Sequence, residues 1–85
     1  MELNKGWKQG AIWAPTENGK KVVTYYVKAN KTKSKYGING GKIVGLVLNT
    51  KDDTIGYYAK EKGWVIEPTT EEAQIALSIL LYENK

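Results

Sequence analysis

Two pairs of adjacent carboxylates are the residues of this sequence whose type could support acid–base or metal chemistry. Asp52-Asp53 stands between two apolar segments, where aspartate is favoured because its side chain hydrogen-bonds the backbone of a turn. Glu71-Glu72 stands at the start of a predicted helix, where the helix dipole stabilises negative charge. Two neighbouring acids without further oxygen ligands are a weak signal for magnesium. A structural role explains both pairs, and we expect no catalytic residue and no metal site.

The residues that most often carry enzyme chemistry near neutral pH are missing. The 85 residues include no histidine and no cysteine, so the common general base, the common zinc ligands and the thiolate nucleophile are absent. Disulfides are excluded for the same reason, which is typical of a reducing compartment. No apolar run is long enough to span a membrane, and Met1–Lys5 does not resemble a signal peptide. We therefore expect a cytoplasmic, non-enzymatic protein without a cofactor or a membrane partner.

A glycine-rich segment followed by a lysine is the strongest candidate for a binding site. The backbone N–H groups of such a segment can surround an anion, and nearby lysines can neutralise it. The spacing is not that of a nucleotide-hydrolase loop, because a strand rather than a helix follows Lys42. A tight bulged turn without a ligand is the alternative. The residues of this stretch that we expect to contact a ligand are Tyr36, Gly37, Asn39, Gly40, Gly41, Lys42, Lys33 and Lys35.

Aromatic residues on one face of a predicted hairpin extend this candidate site. Asn18-Gly19 favours a type I′ turn that places Glu17 opposite Lys20. In that register one face carries Trp7, Trp13, Thr24, Tyr26 and Lys28. The rings of Trp7, Trp13 and Tyr26 could stack on bases while Lys8 and Lys28 neutralise phosphates. The alternative is that these rings only cover the far side of the sheet.

The charge of the chain is unevenly distributed. Residues 1–51 contain ten lysines and two acids, a net charge of +8, whereas residues 52–85 contain three lysines and seven acids, a net charge of −4. This asymmetry favours an anionic partner for the first half, although lysines also solubilise an aromatic surface. All thirteen basic residues are lysine, so the arginine fork that reads guanine edges is absent. Sequence-specific binding of duplex DNA is therefore not expected.

One α+β domain over residues 1–85 must position these side chains. The sequence predicts a curled antiparallel sheet of four to five strands with one C-terminal helix. The predicted strands cover 8–15, 20–28, 43–48 and 54–59, with a short fifth piece at 64–66, and the third is expected to be central. Thr69 and Glu72 predict a capping box at the start of the helix. The helix is apolar over most of its circumference, which predicts a homo-oligomer that covers it.

The segments Tyr36–Ile43, Gly63-Trp64 and Ile66–Pro68, together with Tyr58, resemble a known family. It comprises short uncharacterised proteins of low-GC Gram-positive bacteria and their phages, with a Gly-Ile-Asn-Gly-Gly-Arg/Lys-Ile element and a Tyr-Asp-Arg-Gly-Trp-Asp element before a helix. In this sequence residues 59–62 separate Tyr58 from Gly63, so the Asp-Arg pair is missing. The resemblance implies an accessory phage protein, many of which counteract host immunity.

The leading hypothesis is a small non-enzymatic phage-type binding protein that sequesters an anionic, nucleotide-type signal of host immunity. A second hypothesis is a protein inhibitor that docks directly on a host defence enzyme. A third is non-specific binding of nucleic acid through the lysine-rich half, with an affinity that falls steeply as salt rises.

Overall fold

The computed structural model describes residues 6–85, so the prediction about a signal peptide at residues 1–5 lies outside the described part of the chain. Five strands form one antiparallel sheet in their order along the chain. They are β1 (Trp7–Thr16), β2 (Gly19–Ala29), β3 (Ile43–Asn49), β4 (Thr54–Ala59) and β5 (Gly63–Ile66), and helix α1 (Glu71–Glu83) follows. Strand β3 is central, as predicted, and the sheet is open, with β1 and β5 at its edges. The predicted α+β fold is confirmed.

The first hairpin differs from the predicted one in its turn. A type I′ turn needs positive φ at both Asn18 and Gly19, but only Gly19 has it, at 99°, so that prediction is wrong. Thr16 pairs with Gly19, and the Thr16 hydroxyl accepts a hydrogen bond from the Asn18 N–H at 3.2 Å. The register is thereby shifted by two residues from the predicted one. Because alternate residues of a strand share a face, every side chain keeps its predicted face.

Helix α1 begins one residue later than the predicted capping box implies. Its N-cap is Thr70, whose hydroxyl accepts a hydrogen bond from the Ala73 N–H at 3.2 Å. Ala73 therefore occupies the third helical position and cannot return a side-chain hydrogen bond, so the predicted box between Thr69 and Glu72 is wrong. Within residues 6–85, no helix has the length and apolar character needed to cross a membrane.

The hydrophobic core lies between α1 and one face of the sheet. Two alanines on α1, Ala73 and Ala76, are fully buried and let the helix approach the strands closely. Ile38, from the loop between β2 and β3, extends the core beside the helix. The buried residues of this core are Val23, Val27, Ile38, Ile43, Leu46, Leu48, Ala73, Ala76 and Leu80. Burial of each larger aliphatic side chain contributes about 1.5–3 kcal/mol.

The wide apolar surface of α1 is only partly covered within one chain. The half-buried residues on its flanks are Ile75, Leu77, Ile79 and Leu81. Tyr82 is 70% exposed, and the Lys85 ammonium lies 4.2 Å from the centre of its ring. Self-association through this helix stays a prediction, and a monomer in a sedimentation experiment would contradict it.

The opposite face of the sheet, which we call the open face, has no helix on it. Directly paired residues of an antiparallel sheet share a face. Because Val23, Val27, Leu46 and Leu48 face the helix, the other alternate residues form the open face. Its residues are Trp7, Gln9, Ala11, Trp13, Pro15, Lys20, Val22, Thr24, Tyr26, Lys28, Gly45, Val47, Asn49, Thr54, Tyr57, Ala59, Gly63 and Ile66.

Candidate functional site

Residues 30–42, between β2 and β3, form a loop that is closed by its own hydrogen bonds. The Asn30 N–H donates to the Lys42 carbonyl at 2.8 Å, and the Ser34 N–H donates to the Gly41 carbonyl at 2.9 Å. Between these contacts the chain makes a short 3-10 turn, Ile38–Gly40. The loop therefore presents its side chains from a fixed frame.

Backbone geometry explains why glycine occupies this loop. A Cβ atom on Gly37 would collide with the carbonyl oxygen of Gly41, so the chain can cross itself here only with glycine. Gly40 has φ of 69°, and Asn39 before it has φ of 55°. Both values lie in the left-handed region, which glycine and asparagine adopt most readily. The glycine cluster thus has a structural role, which was the alternative to an anion cradle.

Three backbone amides of the glycine segment are already hydrogen-bonded within the loop. The N–H of Gly37 donates to the Ser34 carbonyl at 2.9 Å, and the N–H groups of Gly40 and Gly41 donate to the Gly37 and Ile38 carbonyls, each at 3.0 Å. A donor used in this way is not free to bind an anion as well. An anion at this loop must therefore be held mainly by side chains.

The loop and the C-terminal end of α1 line an open surface pocket of about 240 Å³, which we call the loop pocket. Three lysines belong to its lining: Lys33 from the loop, Lys42 from the residue before β3, and Lys85 after α1, whose ammonium lies over the Tyr82 ring. Its lining residues are Lys33, Ile38, Asn39, Gly40, Gly41, Lys42, Ile43, Leu81, Asn84 and Lys85. No Asp or Glu side chain is among these residues, so the lysine side chains favour an anion there. The structure thus brings together Lys33, Asn39, Gly40, Gly41 and Lys42 of the predicted set.

Three other residues of the predicted loop set, Tyr36, Gly37 and Lys35, lie outside the loop pocket. The Tyr36 ring is 43% exposed, and the ammonium groups of Lys35 and Lys60 lie 5.2 and 5.8 Å from its centre. The Tyr58 hydroxyl donates a hydrogen bond to the Tyr36 carbonyl at 2.8 Å, and the Tyr58 ring packs edge-on against Trp64. These contacts attach the loop to β4 and β5.

The aromatic residues predicted for the same site lie on the other side of the sheet. Trp7, Trp13 and Tyr26 belong to the open face, whereas the loop pocket is built against α1. Lys8, which was expected beside them, pairs with Val27 and therefore lies on the helix side of the sheet. The glycine loop and the aromatic residues cannot contact one small ligand together. The residues predicted as one site form two separate surfaces.

The two pairs of carboxylates lie in a turn and at a helix start, and the turn is held by the Thr50 hydroxyl rather than by the aspartate side chains. Thr50, Asp52 and Asp53 form the turn between β3 and β4, in which the Thr50 hydroxyl accepts hydrogen bonds from the N–H groups of both aspartates at 3.3 and 3.2 Å. Glu71 and Glu72 lie in the first turn of α1. Among residues 6–85 no group of three or more acidic side chains is arranged to hold a metal ion.

Comparison with known proteins identifies the family of the chain but indicates no activity. The model of a domain of unknown function, DUF7678, matches residues 6–85. The chain belongs to this family. No curated protein and no solved structure shows significant similarity to it. Because the DUF7678 match covers all the described residues, the loop pocket and the open face both lie within the family domain.

Sequence reasoning missed several residues of both surfaces. It did not place Leu81, Asn84 or Lys85 beside the glycine loop, because that contact depends on the direction in which α1 crosses the sheet. It also missed Tyr57 and Ile66 on the open face. Alternation along β4 puts Tyr57 on the opposite face from Tyr58, and this is the signal that could have identified it.

Proposed function

We propose that this DUF7678 protein is a non-enzymatic binding protein that captures a small phosphate-bearing anion in the loop pocket. The observation that supports this function is that Lys33 and Lys42, from two different segments, line a pocket to which no Asp or Glu side chain contributes. An anion bound beside these lysines gains favourable Coulomb energy.

The size of the pocket limits what it encloses. Its volume of about 240 Å³ is below the range of roughly 300–1,000 Å³ that is typical of sites for drug-sized ligands. A phosphate or diphosphate group fits such a volume, while the rest of a larger ligand stays outside. Lysine binds phosphate as a point charge rather than through a bidentate fork, so recognition depends on charge more than on shape. The Asn39 side chain at the rim supplies neutral hydrogen-bonding groups.

Capture without turnover suits the counter-defence role that the resemblance of residues 36–68 implies. A phage protein in the bacterial cytoplasm can silence a nucleotide signal by holding it, and this requires affinity and abundance but no catalytic group. The motif resemblance and the cationic pocket both support this assignment. Direct docking on a host defence enzyme is the competing role, and it predicts a protein partner instead of a small ligand.

Titration calorimetry tests the proposed function. The probes are inorganic pyrophosphate, a set of cyclic dinucleotides and ADP-ribose. The double variant Lys33→Gln/Lys42→Gln should reduce affinity at least tenfold for whichever probe binds. Its matched control, Lys51→Gln/Lys62→Gln, removes the same charge from two exposed turns and should change affinity by less than about twofold at physiological salt, where distant exposed charges are screened. Absence of heat with every probe, from protein shown to be folded, would contradict the proposal, as would an equal loss in both variants.

A further inference from the structure

The open face exposes more apolar surface than a solvated sheet face normally does. Trp13 is 68% exposed, and its partner across the hairpin, Val22, is 40% exposed. Two strands further on, Tyr57 is 37% exposed and pairs with Ile66, which is 39% exposed. Thr24, Asn49 and Thr54 lie between the two exposed pairs, so the face presents two apolar areas on either side of a polar row. Exposed apolar areas of this kind on a small protein are candidates for an interaction site.

The charges on the open face identify the chemistry of its partner. Within residues 6–85, the charged residues at its paired positions are Lys20 and Lys28 and none of these positions holds a carboxylate, whereas Asp52 and Glu72 lie beyond its edge, in a pocket that Val22 and Thr24 also line. A second copy packed face to face would bring these lysines together without a carboxylate to pair with them. The face therefore complements an anionic partner rather than a copy of itself.

Two tryptophans of the open face stand on packed parts of the fold. The Trp7 indole lies over Gly45 of the central strand. The hairpin end that carries Trp13 is attached to α1, because Ala14 is fully buried on its helix side and the Glu17 N–H donates to the Glu71 carboxylate at 3.3 Å. Because the backbone that carries these rings is already packed, it loses little conformational entropy when a ligand stacks on them.

From these observations we infer that the open face binds single-stranded nucleic acid, with bases stacked on Trp13 and Tyr57 and phosphates beside Lys20 and Lys28. Aromatic platforms interleaved with lysine are the usual means of binding single strands without sequence preference. From Trp7 to Trp13 the face extends about 20 Å along β1. A face of this length suits a polymer that contacts it at several points along the strand. The inference is independent of the loop pocket, which lies on the other side of the sheet.

Fluorescence anisotropy of labelled oligothymidine, about 15 nucleotides long, tests this inference. Trp13→Ala should weaken binding about tenfold, which corresponds to loss of one stacked base. Tyr82→Ala is the matched control, because Tyr82 is just as exposed, at 70%, but lies on α1. Lys28→Gln should lower the slope of log affinity against log salt by about 0.7, whereas Lys62→Gln in the turn between β4 and β5 should leave it unchanged.

Three competitors distinguish other occupants of the face. Unlabelled oligothymidine should displace the probe, whereas duplex DNA and polyglutamate should do so at least tenfold less effectively. Equal competition by duplex DNA would contradict base stacking, and equal competition by polyglutamate would indicate an acidic protein partner. Sedimentation showing an oligomer that Trp13→Ala dissociates would assign the face to a second copy and overturn the inference. Equal losses with Trp13→Ala and Tyr82→Ala, or no binding by folded protein, would overturn it as well.

Discussion

The Trp7 indole of β1 lies on the backbone of Gly45 in β3, across the intervening strand. A Cβ atom added to Gly45 would stand 2.6 Å from Cη2 of the indole, closer than any real contact permits. Glycine weakens the interior of a strand, and its presence there commonly marks the close approach of another group. Here that group is an aromatic ring of the open face, so a residue of the central strand determines where this ring lies.

Replacing Gly45 with alanine should lift the Trp7 indole from the sheet while leaving the fold intact. The atom that must move is at the far end of a side chain, and alanine is the less flexible residue in a strand, so we expect the free energy of unfolding to change by no more than about 1 kcal/mol. In a background where Trp7 is the only tryptophan (Trp13→Phe and Trp64→Phe), its fluorescence emission should shift to longer wavelength. Unchanged emission would mean that the indole does not rest on Gly45.

The crossing of the loop at Gly37 should be the most sensitive point of the glycine segment. Gly37→Ala forces a Cβ against the Gly41 carbonyl oxygen, which belongs to the backbone and cannot move alone. We expect a loss of about 2–3 kcal/mol in the free energy of unfolding, measured with guanidinium chloride. Gly40→Ala is the control: its added Cβ meets no atom within 4 Å, and only the positive φ costs about 1 kcal/mol. A larger loss at Gly40 would contradict the described loop geometry.

The two adjacent threonines before α1 should differ in their contribution to stability. Thr70→Ala removes the hydroxyl that accepts from the Ala73 N–H, and should lower the free energy of unfolding by about 1 kcal/mol. Thr69→Ala, one residue earlier, should change it by less than about 0.5 kcal/mol, as is usual for an exposed position without such a contact. Thermal denaturation of both variants provides the comparison. A larger loss of stability for Thr69→Ala than for Thr70→Ala would instead support the capping box expected from the sequence.

The hydroxyl of Tyr58 should contribute to holding the loop. Tyr58→Phe keeps the ring against Trp64 but removes the hydrogen bond to the Tyr36 carbonyl. We therefore expect the free energy of unfolding to fall by about 1 kcal/mol. The midpoint of thermal unfolding should fall by about 4–8 °C in a domain of this size. Tyr57→Phe, on the open face, is the matched control and should leave the midpoint within about 2 °C. An equal decrease in the unfolding midpoint of both variants would show that the hydrogen bond of Tyr58 is not the cause.

The sequence was sufficient to predict the elements of this fold because most of its local signals agree. Alternation identified the strands, and the third strand was expected at the centre because it is apolar almost throughout. The turn before β2 was predicted wrongly, because the Thr16 side chain forms hydrogen bonds there that compete with the Asn18-Gly19 turn. The helix cap was displaced by one residue because two neighbouring threonines offer similar caps, and local sequence does not distinguish them.

The candidate site was predicted less well, and the reason is three-dimensional. The face on which a strand residue lies depends only on whether its position along the strand is odd or even. Trp7, Trp13 and Tyr26 were therefore correctly predicted to share one face of the sheet. Nothing in the pattern of single strands indicates which face a helix will cover, however, and the glycine loop follows the helix. The residues that the sequence predicted as one binding site therefore lie on two sides of the sheet.

The division of the predicted site into two surfaces can be measured in one experiment. Nitrogen-15 correlation spectra of the same protein are recorded with inorganic pyrophosphate and, separately, with oligothymidine. Pyrophosphate should move the amide resonances of residues 39–42 and 84–85, and oligothymidine should move the indole resonances of Trp7 and Trp13. Pyrophosphate shifts centred on the indoles, oligothymidine shifts centred on the glycine loop, or spectra that neither ligand changes would contradict the account.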